Sequence, residues 1–216
     1  RHPQKMCRLD IESHVEPTPD LEKQLAERAE ALLEGADALC LEDYGKGVLS
    51  VPLCQRLIAA AKKRGVPVLV DPAARDDFSR YRGATCLTPN RTEAERAAGR
   101  RAASDVAAIA DLGRQLQQSL SLDVLVLTLD RQGAMLFEQA AEPRLVPTRA
   151  RSVYDVTGAG DAVLAMLAAA LGNGASWAQA VTLANLAAGL EVERFGVVPI
   201  ALDEVLRALL EEEGER

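Results

Sequence analysis

The 216 residues suffice for one α/β domain, and 48% hydrophobic against 3% aromatic content makes its core one of Leu, Val and Ala. A formal charge of −7, with no Lys/Arg run longer than three, argues against a nucleic-acid or anionic-membrane surface. No apolar stretch reaches the length of a membrane span and no charged-then-apolar leader opens the chain, which implies a cytoplasmic protein.

Residues 6–12 alternate, with Cys7, Leu9 and Ile11 on one side, and predict a half-exposed strand. Thr18-Pro19 reads as an N-cap with proline at the first helical position, and Leu21, Leu25, Ala29 and Leu32 line one face of the helix that Gly35 ends. Residues 38–41 form an apolar run expected of a strand buried on both faces. Ser50 caps a helix to about Arg64, and strands follow at 66–70 and 84–87. Helices are predicted at 91–98 and at 104–119, the second capped by Ser104. A strand at 124–129 turns at Gln132-Gly133 into an antiparallel return at 134–137, followed by a short strand near 145–146. Helices at about 159–171, 176–193 and 202–212 complete the chain. The alternation implies a mostly parallel sheet covered by helices, in a single domain over 1–216. Because the sequence opens at Arg1, without a methionine, it reads as a piece of something longer.

The four cysteines are widely spaced, three of them in apolar contexts, and only two histidines are available. Buried free thiols are expected rather than a zinc site. Trp177, beside Ser176, reads as a helix-end packing residue.

Chemistry concentrates at Val153-Tyr-Asp155-Val-Thr-Gly158-Ala159-Gly160-Asp161. Two glycines in the first turn of a helix each cost about 1 kcal/mol relative to alanine. They are explained if a backbone must approach an anion at the helix N-terminus, where unpaired N–H groups and the dipole favour phosphate. Asp161 then sets a carboxylate beside that site, as phosphoryl transfer to an alcohol requires. The stretch is no P-loop, since Gly160 is followed by Asp-Ala, and a dinucleotide fingerprint would need a glycine at Val163. The plain alternative is a helix start that only favours its dipole.

Polar residues cluster at the other strand ends, where open parallel sheets bind ligands: Glu42-Asp43-Tyr44-Gly45-Lys46-Gly47, Asp71, Asn90-Arg91-Thr92-Glu93 and Asp130. Asn90 and Glu93 could hold the waters of a nucleotide-bound Mg²⁺, or could simply form a capping box. Lys46 could meet a phosphate, or lie in a solvated loop.

The pair Asn90-Arg-Thr-Glu93 and Asp155-Val-Thr-Gly-Ala-Gly-Asp161 resembles the nucleotide-side motifs of the ribokinase/PfkB carbohydrate kinase superfamily. Asp43-Tyr-Gly-Lys-Gly47, Val68-Leu-Val-Asp71-Pro72, Leu87-Thr-Pro-Asn90 and Val153-Tyr-Asp-Val-Thr157 are similar to its D-glycero-β-D-manno-heptose-7-phosphate kinase branch. The resemblance implies a three-layer αβα ribokinase-like fold, here without its N-terminal strands and most of its lid. It implies ATP and Mg²⁺, a sugar-phosphate acceptor on the route to lipopolysaccharide core, and a homodimeric full-length enzyme. Carried over, Asp161 would be the general base, and Gly158, Ala159 and Gly160 the anion hole. Asn90, Arg91, Thr92, Glu93, Asp155 and Asn185 would bind ATP and Mg²⁺, Glu93 holding the metal through water. Gly189 and Gly196 fall in the stretch on the adenine side. Asp43, Lys46 and Asp71 would be phosphate or substrate contacts. Ala73 and Glu42 depart from that branch, which has lysine and serine there. A non-catalytic nucleotide-binding fragment, or another sugar or nucleoside kinase of the superfamily, stays open as an alternative.

Overall fold

The computed structural model describes residues 7, 9, 11, 16–103, 105–148, 158–194 and 196–214. Helix α1 (Pro19–Leu32) is followed by β1 (Leu39–Glu42), α2 (Val51–Lys63), β2 (Val68–Asp71), β3 (Cys86–Leu87), α3 (Arg91–Ala97) and α4 (Val106–Leu120). Then come β4 (Val124–Thr128), β5 (Ala134–Glu138), β6 (Arg144–Val146), α5 (Ala159–Gly172), α6 (Trp177–Val192) and α7 (Leu202–Gly214). The sheet runs β1-β2-β3-β4-β5-β6; its first four strands are parallel, and β5 and β6 are antiparallel to their predecessors.

Strand alternation sorts the core into two layers. Leu41, Val68, Val70, Leu87, Leu125 and Leu127 pack with α1 to α4 on one face. Leu69, Cys86, Val124, Val126 and Leu136 pack with α5 and α6 on the other, where Trp177 also lies against the core. This is the αβα sandwich expected. The parity has a consequence at the strand tips: Glu42 and Asp71 follow Leu41 and Val70, so both turn to the α5 face, while Asp43 turns back toward α2.

Helix caps follow the sequence closely. Thr18, Ser50 and Ser176 accept from the backbone at the starts of α1, α2 and α6. Asp105 caps α4, whereas the predicted cap Ser104 lies outside the described residues. So does most of the strand predicted at 6–12; its described members 7, 9 and 11 carry no strand pairing.

Two expectations, for β1 and for the thiols, are corrected, and the buried face of α1 is added to the reading of its stripe. Among the described residues only β2 pairs with β1, which stands at the edge of the sheet with Cys40 exposed rather than buried on both faces. On α1 the buried positions are Ala26 and the following Leu33; Leu21, Leu25 and Leu32 are exposed. That helix turns its small side chains and Glu30 toward α2, where Glu30 meets Arg56, so its leucine stripe faces away from the core. The thiols are not uniformly buried either: Cys54 and Cys86 are, Cys7 and Cys40 are exposed.

Candidate active site

Helix α5 opens at Gly158, which adopts φ +95° and caps the helix without a side chain. A Cβ there would lie 2.3 Å from Glu191 Oε1, on α6, while a Cβ at Gly160 would lie 3.0 Å from Asp71 Oδ2. The two glycines are thus required by the protein behind them as well as by any ligand in front. Both stay accessible, and helix geometry leaves the first N–H groups of α5 without intrahelical partners.

Asp161, one residue on, stands over the tips of β1 and β2. Its nearest carboxylate oxygen and those of Glu42 and Asp71 all lie within 4.8 Å of one another. The register that pairs Glu42 with Asp71 across β1 and β2 sets their side chains abreast on the α5 face. Thr88 Oγ1 donates to Asp71 Oδ1 at 2.7 Å. Burial, then the charge and hydrogen bond of Asp71, push the Glu42 carboxyl up to about 9, with Asp161 and Asp43 adding to it. Asp71 is also raised, chiefly by burial, against the hydrogen bonds from Thr88 and Glu42. The Tyr44 hydroxyl hydrogen-bonds Asp161, and its phenol is raised to about 12 by desolvation and then by the charges of Asp161 and Glu42.

Asn90 and Glu93 form the capping box: Asn90 Oδ1 accepts from Glu93 N at 2.9 Å and Asn90 N donates to Glu93 Oε2 at 2.8 Å. This does not exhaust Glu93, because a carboxylate offers about four acceptor sites and the cap uses one. Burial raises the Glu93 carboxyl and Asp71 contributes to the rise, so this group shares the electrostatic environment of the crevice. The donor set fits a hydrated Mg²⁺ held through water.

Other sequence candidates are engaged elsewhere. Asp43 is buried with its oxygens accepting from Gly45 N at 2.8 Å and Tyr81 Oη at 2.6 Å, and Arg75 and Arg80 lie 3.6 and 3.8 Å away. It organises the loop after β1 rather than opening into the crevice. Arg91 is bonded to Glu95 and to the Ala102 carbonyl, and Thr92 is exposed. Asn185 is buried, its Nδ2 donating to Val146 O at 2.8 Å, which ties α6 to β6. Lys46 lies exposed in its loop. Asp155 lies outside the described residues. Glu42 and Tyr44 belong to the strand-end stretch expected to line the crevice, but neither was assigned a role in the site from sequence. Tyr44 carried no signal beyond its place beside Asp43, whereas the parity of β1 could have shown Glu42 facing the same way as Asp71.

The pfkB family carbohydrate kinase signature matches residues 10–203. This chain belongs to that family. Its relatives include the "Bifunctional protein HldE" of Magnetococcus marinus, 43% identical over 96% of this chain and 43% of that protein. The protein of the same name from Pseudomonas putida is 44% identical over 99% of this chain and 43% of its own length. The chain therefore spans less than half of these relatives. Among solved structures, Arabidopsis thaliana ribokinase complexed with ribose and ATP superposes with a TM-score of 0.75 at 26% identity, over 85% of this chain and 59% of that one. Phosphofructokinase-2 from Escherichia coli, at 20% identity and a TM-score of 0.73 over 91% and 63%, shares the fold. The pfkB assignment and the ribokinase-like sandwich thus agree. Among the described residues, no helix is long and apolar enough to cross a membrane.

Proposed function

We propose that this chain carries the phosphoryl-transfer site of an ATP-dependent sugar-phosphate kinase. The observation that carries the reading is Asp161 in the first turn of α5, immediately after Gly158 and Gly160 and above the tips of β1 and β2. Asp161 would accept the proton of the acceptor hydroxyl as its oxygen bonds to the γ-phosphorus and the bond to ADP breaks. The N–H groups at Gly158, Ala159 and Gly160 would hold the charge that develops on the transferring group. Asn90 and Glu93 would orient the waters of Mg²⁺, which when bound neutralises charge on the β- and γ-phosphates. The position of Asn185 against β6 supports a role in shaping the nucleotide side rather than in chemistry.

The acceptor we assign is the anomeric hydroxyl of D-glycero-β-D-manno-heptose 7-phosphate, giving the 1,7-bisphosphate. The resemblance in sequence along residues 43–157 supports it, as does 43–44% identity to the HldE proteins. The whole enzyme is proposed to act in the cytoplasm as a homodimer. A second reading, a nucleotide-binding piece completed by other sequence, is favoured by the coverage of only 59% of ribokinase.

The test is phosphorus NMR of Mg·ATP incubated with the protein and, in turn, the heptose 7-phosphate, ribose and fructose 6-phosphate. A new anomeric phosphate resonance with the heptose alone supports the assignment. Transfer to another sugar overturns the acceptor and keeps the kinase; ATP binding without any transfer supports the second reading.

A further inference from the structure

Glu42 stands where the resembling kinases carry a small hydroxyl residue, and the reaction proposed above gives it no role. Three observations define its surroundings. Parallel register makes Glu42 and Asp71 direct neighbours across β1 and β2, with Asp43 N donating to Asp71 O one step further on. Asp71 is held from two other sides, by the Thr88 hydroxyl on Oδ1 and by α5, whose Gly160 leaves only the room of a missing methyl beside Oδ2. The nearest oxygens of Glu42, Asp71 and Asp161 fall within 4.8 Å of one another. Carboxylates at this spacing in a half-buried site do not all ionise, and a proton shared by two of them turns repulsion into a hydrogen bond.

We propose that Glu42 is a positioning residue: one proton shared between Glu42 and Asp71 ties β1 to β2 beneath the first turn of α5 and leaves Asp161 free to act as the base. Among the described residues, the groups facing Glu42 are Asp71 from β2, Asp161 from α5, and Cys40, Asp43 and Tyr44 from its own strand and the loop after it. Among these described residues none is a cation. Burial and the neighbouring charge of Asp71 raise the Glu42 carboxyl, and burial raises that of Asp71, so the register-paired carboxyls share a proton more readily than either would hold one alone. The proposal rests on the kinase reading for the role of Asp161, but the proton itself does not.

The experiment therefore has two arms. In the first, thermal unfolding of the chain and of Glu42→Gln is followed from pH 5 to pH 8. A carboxyl neutral in the folded state and ionised in the unfolded one stabilises fully below its unfolded value, near 4.5, and loses that contribution as pH rises toward about 9. The amide keeps a donor toward Asp71 and does not titrate, so Glu42→Gln should melt above wild type by an increment that grows with pH. A constant increment, or a variant that melts lower throughout, overturns the shared proton. In the second arm, Glu42→Ala should lower kcat by about tenfold or more through loss of alignment, with the KM for ATP little changed, and Glu42→Gln should restore most of it. If transfer is measured and Gln is as impaired as Ala, positioning through the hydrogen bond is refuted while the kinase stands. If no transfer is found, the melting arm still decides on the proton. Mn²⁺ bound without nucleotide and lost in Glu42→Gln would show a cation in place of the proton and overturn the proposal.

Discussion

Replacing Gly158 by alanine tests how α5 is built. Two costs can be read off. The backbone there has φ +95°, a conformation that penalises a Cβ by about 1–2 kcal/mol. The new methyl would also fall 2.3 Å from Glu191 Oε1, a side chain only 4% exposed and unable to swing into solvent, which adds an overpacking cost of about 1–3 kcal/mol. The sum, about 2–5 kcal/mol, corresponds to a fall in Tm of roughly 5–15 °C for a chain of this size. Gly160 is the control. It lies inside the helix with ordinary φ, so alanine gains about 1 kcal/mol of helix propensity. That gain is set against a 3.0 Å contact with the Asp71 carboxylate, and the Tm of Gly160→Ala should stay close to wild type. Differential scanning fluorimetry on both variants provides the measurement. Gly158→Ala melting with wild type, or Gly160→Ala melting as low as Gly158→Ala, would refute the reasoning.

Gly113→Ala drives a methyl to 2.0 Å from Cζ of the buried Phe137 and should destabilise by about 2–3 kcal/mol, visible in urea titration. Asp43→Ala removes the acceptor of Tyr81 and Gly45 and the counter-charge of Arg75 and Arg80; it should cost about 3 kcal/mol, and a wild-type midpoint would show that the hub is dispensable. With a thiol reagent at pH 8, Cys7 and Cys40 should label in the folded protein, Cys40 more slowly because partial desolvation by its neighbours raises its thiol although the residue is exposed. Cys54, raised to about 11, and Cys86 should label only on unfolding. The exposed leucines of α1 and the position of β1 at the sheet edge among the described residues predict self-association of the isolated chain, which sedimentation showing a stable monomer would contradict.

Much of this was legible in the sequence because local signals and global fold agree. Thr18, Ser50 and the Asn90/Glu93 pair are caps whose chemistry is confined to four residues, and each forms as its spacing indicates, while α4 is capped by Asp105. The glycines at 158 and 160 announced a special helix start, but not that Glu191 and Asp71 demand them from behind, since those contacts join residues far apart in sequence. The periodicity of α1 showed a stripe of apolar residues but not its direction, because period reveals that one face differs without saying which neighbour lies opposite. Strand β1 failed similarly: an apolar run cannot distinguish a central strand from an edge. Asp43 and Glu42 are adjacent in sequence and opposite in the fold. Strand alternation sets them on opposite faces, and the packing of α5 on one face decides that Glu42 reaches the crevice.

The central claim concerns Asp161, and the direct measurement is kcat for phosphoryl transfer by Asp161→Asn beside ATP affinity measured by calorimetry. With the base removed, kcat should fall by about 10²–10⁴-fold while affinity for Mg·ATP is largely retained. Turnover equal to wild type would contradict it.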